Sequence, residues 1–162
     1  MTVILSIDPS SNKATKSNTG IVLLDNGKLI DYWVVSYGVK GFKDWFDNNH
    51  SNLDYDVSIY EHFEARDNSK AKDNTVLETI AEIKRLIPEA ESVRNGGYQT
   101  DIPNELLKAL GLWKFGKSHH ADVRASARLA LFYAMRNDIE DFVYGVGELL
   151  NEKKFQGSKV AK

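Results

Sequence analysis

Two short apolar segments that each end in an acidic residue constrain this chain more than any other feature. Residues 3–7 are followed by Asp8, and residues 57–60 are followed by Glu61. Both segments have the composition of buried strands, and a carboxylate at the end of a buried strand is costly unless a cation or hydrogen-bond donors meet it. If the two strands are parallel neighbours, both carboxylates lie at one edge of a sheet.

A third acidic residue and a histidine lie close together much later in the chain. Asp122 follows His119 by three residues at the start of a predicted helix over 119–136, so the two side chains share one helix surface. Three acids and a histidine from distant segments are typical of a divalent-metal site. The sequence therefore predicts that Asp8, Glu61, His119 and Asp122 form such a site on an α/β scaffold.

Each acidic residue also has an ordinary structural explanation, and these alternatives stay open. Asp8 precedes Pro9 and suits the cap of a turn. Glu61 suits a solvated position just past a strand. Asp122 suits the first turn of a helix capped by Ser118, because the helix dipole favours an acid there.

The length and composition indicate a single soluble domain. A chain of 162 residues with 42% hydrophobic residues can bury one substantial core. Cysteine is absent, which excludes disulfides and thiolate chemistry and fits a reducing cytoplasm. We expect one folded domain over 1–150, a polar, Lys-rich tail over 151–162, no membrane span and a cytoplasmic location.

The order of elements predicts a mixed sheet with helices on its faces. Asp25, Asn26 and Gly27 are a hairpin signal, since Asn and Gly tolerate the positive φ of a type I′ turn. Thr75 and Glu78 have the spacing of a capping box. Strands are predicted at 3–7, 20–24, 29–36, 57–60 and 89–95. Helices are predicted around Phe42 and at 75–87, 103–110, 119–136 and 139–150. An antiparallel meander is thus joined to parallel strands through helical crossovers.

Three segments resemble the active-site motifs of RuvC-like Holliday-junction resolvases, most closely the small phage-encoded members. They are residues 4–11 with Asp8, residues 58–61 with Glu61, and residues 119–125 with His119 and Asp122. The resemblance implies an RNase H-like α/β fold with a mixed five-stranded sheet, a homodimer, and paired nicking of four-way DNA junctions. It also implies that the four named residues bind Mg²⁺ or Mn²⁺, with two ions in each active site.

The predicted DNA contacts come from loops at the carboxylate edge and from one aromatic residue. Resolvases of this kind often carry a junction-probing aromatic three residues after the catalytic Glu, where this chain has Glu64, and Phe63 is the expected substitute. The net charge of −2 is acidic for a nucleic-acid binder, so binding must use local basic patches. The basic residues predicted to contact DNA are Lys13, Lys16, Arg66, Lys70, Lys72, Lys114 and Lys117. Arg124 and Arg128 are predicted to face away from His119 and are excluded.

The leading hypothesis is a metal-dependent, structure-selective endonuclease that nicks Holliday junctions and other branched DNA. Its partners would be four-way DNA and a second copy of the chain, without a small-molecule cofactor, in the bacterial host cytoplasm if the gene is carried by a phage. The alternative is a junction-binding module without catalysis. An actin-like ATPase ranks last, because that fold needs two large domains and 162 residues cannot supply them.

Overall fold

The protein is built on one mixed five-stranded sheet, as the sequence predicted. A computed structural model describes residues 1–12, 17–64, 74–116 and 120–160, with backbone alone at 120 and 153–160. The strands, in chain order, are β1 (Val3–Asp8), β2 (Asn18–Asp25), β3 (Lys28–Ser36), β4 (Val57–Glu61) and β5 (Glu91–Val93). Their order across the sheet is β3-β2-β1-β4-β5.

Strand β1 lies at the centre and joins the two halves of the sheet. It pairs antiparallel with β2 and parallel with β4, while β5 extends the parallel half. Asn26 and Gly27 have φ values of 48° and 89°, which confirms the predicted hairpin between β2 and β3. The predicted fifth strand is shorter than the sequence indicated and covers three residues.

Helices cover both faces of the sheet. They are α1 (Gly38–Asn49), α2 (Val76–Leu86), α3 (Tyr98–Asp101), α4 (Asn104–Ala109), α5 (His120–Arg136) and α6 (Glu140–Val160), with one 3₁₀ turn at His50–Asn52. Helix α6 runs past residue 150, where a frayed tail was expected, because good helix formers follow Gly145 and Gly147. Among the described residues, none of the helices is long and apolar enough to cross a membrane.

Each face of the sheet has its own apolar core. Leu5, Ile7 and Ile21 pack against α1 and α2, where Phe42 and Ile83 are fully buried. On the opposite face the sheet packs against α5, α4 and α6. The buried residues contributed by these three helices include Val123, Ala127, Ala130, Leu107 and Phe142. The small residues of α5 let this helix lie close to the central strands, which brings its first turn to the edge where β1 and β4 end.

Candidate active site

Asp8 and Glu61 lie side by side at the carboxyl edge of the sheet. The parallel register pairs Ile7 with Tyr60, so the residue that follows each of them comes next at the same edge. Burial, a hydrogen bond with Glu61, and the negative charges of Glu61 and Asp122 raise the pKa of Asp8 well above its usual value. The nearby Glu61 carboxyl group thus disfavours ionisation of Asp8.

Asp122 reaches the same edge because α5 packs directly onto β2. Gly20 pairs with Asp8 in the antiparallel ladder, so it lies beside the site. A Cβ atom at Gly20 would lie 2.3 Å from the carbonyl carbon and oxygen of Asp122. One turn later, the buried Ser126 hydroxyl donates a hydrogen bond to the Gly20 carbonyl oxygen at 2.6 Å. A side chain at residue 20 would therefore push away the turn that carries Asp122.

The loop that follows Asp8 is fixed by the start of α2, which corrects one prediction. Thr75 and Glu78 do not form a capping box: no side chain caps the helix at Thr75. The Thr75 hydroxyl instead accepts from the Asn12 backbone N–H at 3.0 Å and hydrogen-bonds Ser11 Oγ at 3.1 Å. Glu78 accepts from Asn12 Nδ2 at 2.8 Å. The spacing that resembles a cap thus serves to anchor the loop beside the site.

Glu61 is held from the side of β5. Asn95 Nδ2 donates to Glu61 Oε1 at 2.5 Å. Next to this pair lies an open cleft of about 670 Å³, and its walls include Glu61, Phe63, Asn95 and Gly96. Phe63 is half-buried, so part of its ring faces the cleft. The structure therefore places the predicted junction-probing aromatic beside one of the carboxylates.

Glu64, which stands where an aromatic residue was expected, belongs to a surface ion pair. It accepts a hydrogen bond from Arg94, and its carboxylate lies 3.4 Å from His62 Nε2. The Arg94 guanidinium holds the pKa of Glu64 below its usual value, with a smaller effect of His62. These three residues form the outer wall of the cleft.

Most of the predicted basic contacts, together with one predicted ligand, lie outside the described residues. These are His119 and Lys13, Lys16, Arg66, Lys70, Lys72 and Lys117. Lys114 is described and exposed, and it lines a separate pocket of about 490 Å³ with Lys108, Gly111 and Trp113. Among the predicted residues, the structure brings together Asp8, Glu61, Asp122 and Phe63.

The oxygen ligands of the site suit a hard divalent cation. Carboxylates are the ligands that Mg²⁺ prefers, and three of them converge here from β1, β4 and α5. Within the described ranges, no three His, Asp or Glu side chains already stand in a metal-binding arrangement. Asp8 and Glu61 instead contact each other, and a proton held by Asp8 would have to leave when a cation binds.

Sequence reasoning missed three residues near this edge. Asn95 and Tyr98 follow β5, and their signal in the sequence was the Gly96-Gly97 break, which marks a turn beside the predicted fifth strand. Arg128 was excluded on helical spacing. In the structure it is buried, with 7% of its surface exposed. It donates a hydrogen bond to the Asn104 side chain, and its guanidinium carbon lies 5.5 Å from the centre of the Tyr98 ring. A charged residue within the apolar stripe of α5 was the available signal for it.

The fold is shared with solved structures of T. thermophilus RuvC. No family model matches the chain, and no curated protein matches it. A structure of T. thermophilus RuvC in complex with Holliday junction substrate has a TM-score of 0.65 and 12% sequence identity, covering 87% of this chain and 98% of that one. A second Thermus thermophilus RuvC structure has a TM-score of 0.60 and 12% identity, covering 85% and 96%. The chain therefore has the RuvC-like, RNase H-like fold that its sequence predicted.

Proposed function

We propose that this protein is a divalent-metal-dependent endonuclease that nicks four-way DNA junctions and other branched DNA. The observation that carries the proposal is the convergence of Asp8, Glu61 and Asp122 from three distant segments at one edge of the sheet. The likeness of the fold to a RuvC solved on a Holliday junction supports the choice of substrate.

The three carboxylates, together with His119, are the proposed ligands of two Mg²⁺ or Mn²⁺ ions. When bound, such ions supply an activated water and stabilise the leaving 3′ oxygen of a phosphodiester. Asp8 is the proposed shared ligand, because β1 lies between β2 and β4 and its carboxyl group interacts with both other acids. The Asn95 hydrogen bond limits the rotation of Glu61 and holds one of its oxygens in place.

The DNA contacts are proposed to surround this edge. Phe63 would stack against bases at the branch point from its position in the cleft wall. Cations in the neighbouring loops would bind the phosphates that flank the cut. The proposed phosphate-binding cations are Lys13, Lys16, Arg66, Lys70, Lys72, Lys114 and Lys117.

A second copy of the chain is the proposed protein partner. A four-way junction has two-fold symmetry, and two symmetric nicks need two active sites. One protomer carries one carboxylate site, so paired nicking requires a homodimer.

A junction-binding module without catalysis is the alternative function. The contact between Asp8 and Glu61 favours it, because two carboxyl groups that interact with each other have a structural partner of their own. This alternative predicts junction binding that is indifferent to divalent ions and to loss of the Asp8 charge.

Cleavage of a synthetic four-way junction tests the proposal. Wild type is expected to nick it in Mg²⁺ or Mn²⁺, and Asp8→Asn to lose at least about 100-fold in rate, because it removes a charged ligand at the reacting phosphate. Asp54→Asn is the matched control: this exposed Asp precedes β4, at the opposite end of the strand from Glu61. Wild type that binds the junction but never cuts it in either metal would establish the alternative.

A further inference from the structure

The connection between α4 and α5 carries a concentration of positive charge around one tryptophan. Lys108 lies in the last turn of α4, Lys114 follows Trp113 in the connection, and Arg124 lies near the start of α5. These four residues form the Trp113 patch. Lys108, Trp113 and Lys114 line an open pocket of about 490 Å³. Both lysines are exposed, so their ammonium groups can reach a ligand from solvent.

Two cations of the Trp113 patch are held over the tryptophan ring. Arg124 Nε and Nη2 donate hydrogen bonds to the Trp113 carbonyl oxygen at 3.1 and 2.9 Å. The Arg124 guanidinium carbon lies 3.5 Å from the centre of the ring, and Lys108 Nζ lies 4.8 Å from it. A guanidinium has five N–H donors, so this contact fixes Arg124 and leaves donors for an anion.

The positive charge of the Trp113 patch is not balanced by acids. Within the described ranges, none of Lys108, Lys114 and Arg124 forms an ion pair with Asp or Glu. Arg128 adds a further cation four residues after Arg124 on α5, a spacing at which like charges repel. Burial, followed by the charge of Arg128, lowers the pKa of Arg124. An anion bound at the patch would relieve this repulsion.

The Trp113 patch lies around the helix from the carboxylate edge. Asp122 and Arg124 are two residues apart on α5, so their side chains project about 200° apart with a rise of only about 3 Å between them. Duplex DNA carries one phosphate charge for about every 1.7 Å of its axis, so a duplex bound at Asp122 has further phosphates beyond that edge. A residue that faces away from the predicted metal ligands can therefore still contact a ligand as long as DNA.

We infer that the Trp113 patch binds the phosphate backbone of one duplex arm of the junction, away from the phosphate that is cut. Arg124 and the lysines match this ligand, because guanidinium and ammonium groups form strong hydrogen bonds with phosphate oxygens. The inference rests on the junction binding in the proposed function and extends it. It adds Lys108 and Arg124 to the proposed DNA contacts and makes Lys114 part of an arm-binding surface.

The salt dependence of junction binding tests the contact of Lys108. Fluorescence anisotropy measures affinity for an uncut junction in the Asp8→Asn background at several NaCl concentrations. Adding Lys108→Gln is expected to reduce the slope of log affinity against log salt by about 0.9, the value for one phosphate contact, and to weaken binding about five- to tenfold near 0.1 M salt.

Lys40→Gln is the matched control for Lys108→Gln. It removes the charge of an exposed lysine on α1, and α1 packs on the opposite face of the sheet from α5. Its salt slope is expected to equal that of the Asp8→Asn parent. An unchanged slope in Lys108→Gln, or an equal fall in Lys40→Gln, would overturn the inference.

Neutral phosphate analogues test whether the contact lies in an arm. Methylphosphonate linkages are placed either in the duplex arms, several base pairs from the branch, or at the branch itself. Lys108→Gln is expected to have almost no further effect on affinity when the arm linkages are neutral, and its full effect when only the branch linkages are neutral. The reverse pattern would assign Lys108 to the branch and overturn the inference.

Two substitutions separate the charge of Arg124 from its structural contacts. Arg124→Gln is expected to lower the salt slope by about 0.9, whereas Arg124→Lys keeps the charge and is expected to keep the slope. A salt slope in Arg124→Gln that equals that of the parent would assign Arg124 a structural role at Trp113 alone. Urea unfolding of both variants shows whether a loss of affinity reflects a loss of stability.

Cleavage by Lys108→Gln distinguishes failure of this inference from failure of the proposed function. With saturating junction, its single-turnover rate is expected to equal that of wild type, because an arm contact acts on binding alone. A slower rate at saturation would place Lys108 at the reacting phosphate and overturn the inference. If wild type binds without cutting, the nuclease proposal fails, and a reduced salt slope in Lys108→Gln still supports the arm contact. Wild type that does not bind the junction overturns both proposals.

Discussion

At the scale of single residues, the Asp8 carboxyl group is expected to destabilise the metal-free protein. Its pKa is raised, so the folded state holds its proton more tightly than the unfolded chain does. The stability linked to this proton is fully present below the unfolded pKa of about 4 and is lost as pH rises through the folded pKa. At neutral pH the folded protein therefore has to keep a proton that the unfolded chain releases, and this lowers its stability.

Asp8→Asn is accordingly expected to stabilise the protein in EDTA at pH 7 while abolishing cleavage. The gain in unfolding free energy should be on the order of 1 kcal/mol, the size typical of one substitution, and should shrink towards pH 4. Chemical unfolding at several pH values measures it, with Asp54→Asn as the control. A variant less stable than wild type at pH 7, with the same pH dependence, would contradict the coupling of the two carboxyl groups.

Some of the individual residues at the site were predictable from the sequence, and others were not. Asp8 and Glu61 were predictable as neighbours, because each ends a strand of buried composition and parallel strands share an edge. Tyr98 and Asn95 were not, since their position depends on a two-glycine turn whose path no periodic pattern records. Arg128 was excluded because helical spacing shows which face a residue occupies and not which neighbour packs there.

At the scale of elements, the contact of α5 with β2 determines how close Asp122 comes to Asp8. Because a Cβ at Gly20 would lie 2.3 Å from Asp122 backbone atoms, Gly20→Ala must displace the first turn of α5. We expect weaker Mn²⁺ binding and cleavage slowed about 10- to 100-fold, since displacements near 1 Å are costly at reacting groups.

Gly147→Ala, in α6, is the matched control for Gly20→Ala, because nothing lies within 4 Å of the Cβ it would add. The measurement is the Mn²⁺ concentration that gives half-maximal cleavage, compared with the unfolding midpoint of each variant. Loss of stability with unchanged dependence on Mn²⁺ would show that Gly20 serves packing alone. No pattern in the sequence singled out Gly20, which was simply the first residue of a predicted strand.

The predicted capping box of Thr75 and Glu78 was wrong because of a contact between α2 and the loop after β1. A Thr followed three residues later by Glu satisfies the local pattern, yet both side chains find partners in the loop after β1, at Ser11 and Asn12. The local pattern and the tertiary contact use the same oxygens, and the tertiary contact prevails here. Helix α6 differs from its predicted extent for a simpler reason: polar composition does not end a helix made of good helix formers.

At the scale of the whole molecule, the fold was the most predictable property. The hairpin signal, the buried strand compositions and the helical stripes each indicate an element, and few topologies join such elements without crossing connections. The resulting sheet order puts the Asp8 strand at the centre, which is what makes a shared carboxylate edge possible. The cleft beside Glu61 was not predictable, because it forms between loops that follow two different strands.

The central claim is that carboxylates from β1, β4 and α5 bind divalent ions together. Isothermal titration of metal-free wild type with Mn²⁺ tests it most directly, with Asp8→Asn, Asp122→Asn and Asp54→Asn compared under the same conditions. The account predicts saturable binding with release of a proton by wild type and Asp54→Asn, and loss of most of that binding in both other variants. Equal Mn²⁺ binding by all four proteins, or no binding by wild type even with junction DNA present, would contradict it.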